Sequence, residues 1–230
     1  MSDRDPTELA STFLAAVKRG TGTAGLRSTL AGLPEAAMAA LDVSAAKAFW
    51  LNTYNAYAQY HLERKPELYD SRRRFFGGKR LRIAGKQLSL DDVEHGILRA
   101  SASKYGLGYL PRPFPSAFER SHRLPTVDPR IHFALNCGAE SCPPILAYSA
   151  ESVDEELEWA TEGFLESNAS RDDEGVVWLS RLFLYYRGDF GGRSGIYDFL
   201  ERYAVVHPGE RPTVRYQEYD WTLNRGMYRE

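Results

Sequence analysis

Cysteine is scarce in this sequence of 230 residues, where Cys137 and Cys142 are the only two. Their number excludes a disulfide-rich scaffold. Four residues lie between them, so a bond between the sulfurs is geometrically possible and would close only a small loop. The sequence also lacks a run of 18 apolar residues, so we expect no membrane span. The first residues are polar and show no signal peptide, and we expect a cytoplasmic protein.

Other absences narrow the choice of partners. The net charge of −2 gives no general basic surface, so we expect no nucleic-acid binding. The phosphate-binding patterns G-x-x-x-x-G-K-[ST] and G-x-G-x-x-G do not occur, so nucleotide binding by either route has no support and no cofactor is expected. A small-molecule or peptide substrate is the class of partner that is left, and nothing here points to an oligomeric state.

The residues that are abundant predict one well-packed core. Hydrophobic residues make up 43% and aromatic residues 13% of the chain, and aromatic side chains bury large areas. Periodic patterns predict helices over 44–62 and 90–100, a hairpin over 81–88 and a central strand over 131–136. We therefore expect an α+β fold, a single domain of several helices packed on a small, mostly antiparallel sheet. Residues 1–43 would be an N-terminal helical extension and 44–230 the main domain.

The segment 131–144 combines a histidine with both thiols. In a strand, side chains alternate between faces, so His132 and Asn136 would share one face. Cys137 and Cys142 would then follow at the strand end, beside a turn. A thiol close to an imidazole can ionise and act as a nucleophile.

Two further interpretations of this segment stay open. The first is structural, with a core histidine and two small buried thiols, since free cysteine is among the most buried residue types. The second is a metal site, because His132, Cys137 and Cys142 are three possible soft ligands. Their spacing matches no common zinc motif, and a fourth ligand is not evident nearby.

The helix predicted over 44–62 carries a stripe of amides. Asn52, Asn55 and Gln59 lie at positions i, i+3 and i+7. Asparagine is unfavourable inside helices, so two on one stripe indicate that these side chains make specific contacts. The stripe is either a plain solvent face or a buried one that holds another segment or orients a catalytic group. The aromatic residues around it favour burial.

Ser89 with Asp92 resembles a capping box, which predicts the start of the helix over 90–100. An acid and a histidine are adjacent in that helix. Glu94 and His95 could supply a base or the group that orients it. Adjacent residues of a helix point about 100° apart, so both cannot face the same atom. The structural alternative is a surface acid beside a partly buried histidine.

These motifs resemble those of DUF547, a family of unknown function found in bacteria, animals and plants. The matching stretches are FWLNTYNA (49–56), LSLDDVEHGILR (88–99), DPRIHFALNCGAESCPP (128–144), YYRGDFG (185–191) and YDWTLN (219–224). The order of helix and His-bearing strand is similar to that of papain-like and transglutaminase-like thiol enzymes. In those enzymes the nucleophile lies at the helix start, where this sequence has Asn52 and Asn55. Plant members of the family carry the domain beside coiled coils, which implies an interaction role.

The leading hypothesis is a thiol-dependent hydrolase or transferase that acts on an amide or peptide-like bond. The residues expected in catalysis are Cys142, Cys137, His132, Glu94 and Asn52, and those expected to bind substrate are Asn55, His95 and Asn136. We expect at least one thiol and His132 to share a cleft with one of Asn52, Asn55 or Glu94. Of the two thiols, Cys142 is favoured because it follows the turn that reverses the chain. The alternatives are a non-catalytic binding or scaffold module and a metal-binding protein using His132 and both thiols.

Overall fold

Helix α4, Val43–Arg64, is the central element of the structure, a computed structural model that describes residues 5–229. The Asp42 side chain caps its start by accepting a hydrogen bond from the Ala45 backbone N–H (2.8 Å). Every side chain from residue 47 to 59 is buried, so α4 is enclosed by protein on all sides. The aromatic and alanine residues of this stretch therefore predict its burial correctly.

Shorter elements surround α4. The other α-helices are α1 (Pro6–Lys18), α2 (Ala24–Ala31), α3 (Glu35–Ala39), α5 (Arg72–Gly77), α6 (Ala117–His122), α7 (Val153–Asn168), α8 (Leu182–Tyr185) and α9 (Gly192–Arg202). There are also a π-helix, Asp92–Leu98, and the 3-10 helices Pro66–Asp70 and Pro129–Phe133. Within residues 5–229, no helix is long and apolar enough to cross a membrane.

The strands are short and form two small sheets. They are β1 (Leu81–Ile83), β2 (Lys86–Leu88), β3 (Ser170–Arg171), β4 (Val177–Leu179) and β5 (Val214–Tyr216). Strands β1 and β2 make the predicted antiparallel hairpin, and β4 pairs antiparallel with β3 and parallel with β5. The predicted α+β class, with a single domain and mostly antiparallel pairing, is confirmed.

Two apolar clusters make up the core, and they meet at the 3-10 helix Pro129–Phe133. The first cluster surrounds α4 and includes α1, whose Phe13 meets Tyr57 edge to face with ring centroids 4.9 Å apart. The second gathers residues of α7, α8, α9 and β4 around Phe133. Ile131 belongs to the first cluster and Phe133 to the second, so His132 is held at their junction.

The prediction of a central strand over 131–136 is wrong. Asp128 accepts a hydrogen bond from the backbone N–H of Arg130 (3.1 Å), and Pro129 takes the first position of a 3-10 helix. An acceptor followed by proline is a helix start, and here it outweighs the β-forming residues that come next. Those residues are enriched in strands because they fit buried surfaces, and this short helix is buried as well.

Asp128 also anchors a small ion cluster, because it binds both Lys47 (2.9 Å) and Arg130 (2.6 Å). Burial alone would raise the pKa of Asp128, but the hydrogen bonds from Arg130 and Lys47 lower it to about 2. A folded pKa below the unfolded value means that the stabilisation is present above about pH 4 and is lost as the pH falls toward 2.

Replacement Asp128→Asn should therefore lower the free energy of unfolding at pH 7 by about 2 kcal/mol. The difference from the parent should shrink to about half at pH 3, because the carboxylate is then partly protonated in the unfolded chain. Urea denaturation at the two pH values measures it. Asp154→Asn is the control, since Asp154 binds the same Lys47 from an exposed position, and exposed pairs contribute less than about 1 kcal/mol. An Asp128→Asn effect of equal size at both pH values would contradict the prediction.

Candidate functional site

A cavity of about 140 Å³ lies where the two clusters meet. An apolar cavity of roughly this size accommodates a molecule as large as benzene. Its walls come from α4, the π-helix, the 3-10 helix Pro129–Phe133, α8 and the segment 219–221. They consist of Tyr54, Phe76, Asp91, Glu94, His95, His132, Leu135, Cys137, Leu182, Tyr185, Tyr186, Tyr219 and Trp221. The cavity thus joins aromatic surface to two carboxylates, two imidazoles and one sulfur.

Four of the residues predicted from the sequence line this cavity, namely Glu94, His95, His132 and Cys137. The structure therefore brings one sulfur, His132 and Glu94 to a common site, as expected from the sequence. Their chemical roles stay predictions. A wider cleft of about 500 Å³ shares Asp91 and His95 with the cavity.

His132 is oriented by Asp189. The distance between Nε2 and the Asp189 Oδ2 is 2.8 Å, and the imidazole stacks on Tyr186 with centroids 3.7 Å apart. Burial, assisted by the charge of Arg99, lowers the pKa of His132 although Asp189 opposes this. The pKa of Asp189 is also lowered, because hydrogen bonds from His132 and Arg99 outweigh its burial. The pair is therefore a neutral imidazole and a carboxylate at neutral pH.

This pairing fixes the tautomer of His132. An ionised carboxylate only accepts hydrogen bonds, so Nε2 carries the proton and donates it to Asp189. The lone pair is then on Nδ1, which has no hydrogen-bond partner among residues 5–229. The imidazole is thus prepared to accept a proton at Nδ1.

Arg99 extends the network beyond Asp189. Its guanidinium binds Asp189 through two hydrogen bonds (2.6 and 2.9 Å), and both side chains are 1% exposed. Arg99 Nη1 also lies 2.8 Å from His95 Nδ1. The buried charge of Asp189 is therefore balanced on one side by Arg99, while its other contact holds His132.

Glu94 holds the tyrosine on which His132 stacks. Its carboxylate accepts hydrogen bonds from the hydroxyls of Tyr186 (2.7 Å) and Tyr54 (3.3 Å). Burial and the neighbouring charge of Glu94 raise the pKa of both tyrosines, so the hydroxyls stay protonated donors. The imidazole is accordingly oriented by Asp189, a residue outside the predicted set, and the catalytic role of Glu94 stays a prediction.

The helix predicted over 90–100 is a π-helix over most of its length. The predicted capping box is present: the Ser89 hydroxyl accepts from the Asp92 N–H (3.0 Å), and Asp92 accepts from the Ser89 N–H (2.9 Å). Glu94 and His95 both line the cavity, and Oε1 and Nδ1 are 3.6 Å apart. The expectation that adjacent residues face apart therefore does not hold here. Wider π-type turns of this kind are frequent at functional sites.

The side chains of the amide stripe of α4 bind the backbone of other segments and do not line the cavity. The Asn52 amide exchanges two hydrogen bonds with the backbone of Tyr148 (2.7 and 2.9 Å). Asn55 donates to the Ala134 carbonyl (2.9 Å) and accepts from the Asn136 N–H (2.9 Å). The side-chain oxygen and nitrogen of each asparagine are thus bonded to backbone groups, and a catalytic role for Asn52 and a substrate contact for Asn55 stay predictions.

Asn136 completes this arrangement as a buried junction. Its Oδ1 accepts from Gln59 Nε2 (3.0 Å) and from the Gly138 N–H (2.9 Å), and its Nδ2 donates to the Pro143 carbonyl (2.7 Å). Asn136 is fully buried and is absent from the cavity wall; its contacts here are structural, and its contact with substrate stays a prediction.

Cys137 and Cys142 form a disulfide, with Cα atoms 6.1 Å apart. Cys142 is buried and does not line the cavity, whereas Cys137 does, so the preference for Cys142 is not supported. The Tyr219 hydroxyl lies 3.5 Å from one sulfur and 3.4 Å from the other. Residues 5–229 contain no group of three or more His, Cys, Asp or Glu side chains that could hold a metal ion, which contradicts the metal interpretation using His132 and both thiols.

The segment from residue 219 onward covers the disulfide loop. The Glu140 N–H donates to the Thr222 carbonyl (2.8 Å), and the Asn224 N–H donates to the Gly138 carbonyl (2.8 Å). Asn224 also binds the Glu140 carboxylate through its side chain (2.8 Å). The cavity wall on this side therefore depends on residues far along the chain.

Sequence reasoning missed the residues that complete the network, above all Asp189, Arg99 and Tyr186. A signal was present, because Asp189 is an acid in the otherwise aromatic and glycine-rich stretch YYRGDFG, and Arg99 ends LSLDDVEHGILR. Acids among aromatic residues are buried only when they are paired.

Comparison with known proteins gives one match. A family model described as "Protein of unknown function, DUF547" matches residues 38–165. No curated protein and no solved structure gives a significant match. The matched range includes the π-helix, His132 and the disulfide, while Asp189, Tyr186 and Tyr219 lie beyond it.

Proposed function

The chain belongs to the DUF547 family, and we propose from the chemistry of its cavity that it is a thiol-dependent hydrolase or transferase acting on an amide or peptide-like bond. One observation carries the proposal: Cys137 and His132 line the same cavity, and Asp189 fixes the imidazole from behind. An acid that sets the tautomer, with the other ring nitrogen left for the nucleophile, is the logic of a catalytic triad.

The active form in this proposal is the reduced one. An external dithiol, or two thiol molecules in turn, reduces the disulfide and is itself oxidised to a disulfide, which leaves Cys137 and Cys142 as thiols. A cytoplasmic location, expected from the sequence, favours that state. The Tyr219 hydroxyl, near both sulfurs, then donates a hydrogen bond to the thiolate.

The proposed reaction has two steps. Nδ1 of His132 takes the proton of the Cys137 thiol, and the sulfur attacks the carbonyl carbon of the substrate. The amide C–N bond breaks, and the leaving amine takes the proton back from His132. The acyl group on Cys137 is then transferred to water in a hydrolase or to an acceptor nucleophile in a transferase.

Cavity size limits what this site can hold. At about 140 Å³ the cavity accepts an acyl group or one side chain, and not a whole peptide. The rest of a substrate would lie in the cleft of about 500 Å³, which shares Asp91 and His95 with the cavity. We therefore propose an inner cavity for the reacting group and an outer cleft for the remainder.

Alkylation of the reduced, folded protein tests the proposal. After reduction with a phosphine, iodoacetamide should label Cys137 faster than the buried Cys142. Transfer of the Cys137 proton to His132 gives a thiolate beside an imidazolium, which the Asp189 carboxylate stabilises, so labelling of Cys137 should stay fast down to about pH 6. His132→Ala should slow it at pH 7 by roughly tenfold or more. Peptide mass spectrometry across pH 6–9 measures both rates.

His122→Ala is the matched control, since His122 is also buried but does not line the cavity. Its labelling rates should equal those of the parent, and circular dichroism shows that each variant is folded. Slow labelling of both cysteines at every pH below 8, or no effect of His132→Ala, would rule out the thiol enzyme.

A non-catalytic binding module is the second candidate, and one feature favours it. Neighbouring side chains bind the charged groups of Glu94, Arg99 and Asp189, and the two sulfurs are bonded to each other. These groups therefore need no substrate to be satisfied. This candidate would be preferred if reduction left Cys137 unreactive.

A further inference from the structure

A second cavity, separate from the candidate site, lies along the first half of α9. Its volume is about 250 Å³, and two arginines, Arg187 and Arg193, line it. Tyr197, Thr213 and Tyr216 add hydroxyl groups, and the other lining residues are aliphatic. None of its lining side chains is acidic, so the cavity holds positive charge without a compensating carboxylate.

The two arginines differ from their neighbours in having no acidic partner. Within the described part of the chain, Arg187 and Arg193 form no ion pair, whereas Arg171, Arg202 and Arg211 each bind a glutamate. The Nε of Arg187 is shielded from solvent and lacks a hydrogen-bond partner. Like charges that share a cavity repel, and a shielded donor without an acceptor is unfavourable. An anion bound between the two guanidinium groups relieves the repulsion.

We propose that this cavity is a binding site for a small phosphate monoester. Guanidinium groups match phosphate oxygens through paired hydrogen bonds. A phosphate monoester carries close to two negative charges at pH 7, which two arginines neutralise, whereas a monocarboxylate would leave one positive charge. Thr213 and Tyr216 are the hydroxyl donors, because the Tyr197 hydroxyl already donates to the Pro212 carbonyl (2.6 Å).

The cavity also offers an apolar wall for the organic group of the phosphate monoester. A phosphate group fills only part of about 250 Å³, and Ile196 and Val214 supply apolar wall beside the Tyr197 ring. A monoester with a small apolar or aromatic group should therefore bind more tightly than inorganic phosphate. This site is independent of the proposed thiol chemistry.

Isothermal titration calorimetry on the full chain tests the site with two probes, inorganic phosphate and phenyl phosphate. We expect saturable binding at one site for each, tighter for phenyl phosphate, and none for sodium chloride at equal ionic strength. Arg187→Gln and Arg193→Gln should each weaken phenyl phosphate binding by at least about tenfold, since each removes a charged bidentate contact. Arg193 is exposed, so that variant keeps its fold.

Arg215→Gln is the matched control. Arg215 lies on β5 between two residues that line the cavity, so its side chain points to the other face, over the Trp178 ring. The Arg215→Gln variant loses the same charge as the other two variants, and its affinity for phenyl phosphate should change by less than about twofold. Equal losses for Arg215→Gln and Arg193→Gln would show nonspecific charge attraction and overturn the proposal. Absence of saturable binding, or phenyl phosphate binding no tighter than phosphate, would overturn it as well.

Discussion

Replacement Asp189→Asn is expected to lower the free energy of unfolding by about 3–5 kcal/mol. Asp189 and Arg99 are each 1% exposed and joined by two hydrogen bonds. The amide cannot neutralise the guanidinium, so a positive charge stays buried without a partner. The same change leaves one acceptor oxygen for the three donors that Asp189 binds, so the His132 tautomer is no longer fixed. Urea denaturation at pH 7 measures the loss of stability.

The double variant Asp189→Leu with Arg99→Met separates charge from packing. Removing both partners leaves no unpaired charge, so it should recover most of the stability lost by the single variant. Asp198→Asn breaks an ion pair at the surface and should change stability by less than about 1 kcal/mol. An Asp189→Asn protein as stable as the Asp198→Asn protein would contradict the buried pair as the cause.

Asn136→Ala should lower the free energy of unfolding by about 3–5 kcal/mol, because it removes three buried hydrogen bonds together. The Gln59 amide, the Gly138 N–H and the Pro143 carbonyl would each lose a partner. Each buried polar group left unsatisfied contributes roughly 1–3 kcal/mol. Guanidinium chloride denaturation, followed by tryptophan fluorescence, measures the change.

Asn168→Ala is the control for this prediction. Asn168 makes one hydrogen bond, to the Phe164 carbonyl at the end of α7, and is partly buried. Its replacement should lower stability by about 1 kcal/mol or less. If Asn136→Ala were no more destabilising than Asn168→Ala, the junction would not be a source of stability.

Local patterns in the sequence predicted the elements whose cause is local. The run of aromatic and alanine residues indicated that α4 is buried on all sides, and Ser89 with Asp92 indicated a capping box. The turn residues between β1 and β2 indicated the hairpin. In each of these elements, the interacting residues lie within a few positions of one another.

The features that the sequence did not predict depend on contacts between residues far apart in the chain. His132 and its partner Asp189 are 57 positions apart, and no spacing rule connects them. The segment after Pro129 is rich in strand-forming residues, yet burial between two clusters fits a short helix equally well. The turn between Cys137 and Cys142 decides whether the sulfurs approach closely enough to bond. The sequence does not predict the conformation of that turn. Packing decided each of these outcomes.

The covering of the disulfide loop by residues 219–224 has a consequence for biosynthesis. A growing chain that has reached residue 218 carries both cysteines and His132, but it lacks Tyr219 and Trp221 from the cavity wall. Until those residues leave the ribosome, the sulfurs are more accessible to oxidants and reductants than in the finished protein, where Cys142 is buried. The pair is therefore oxidised or reduced more easily during synthesis, and in the folded protein an external thiol reaches it only through Cys137, which lines the cavity.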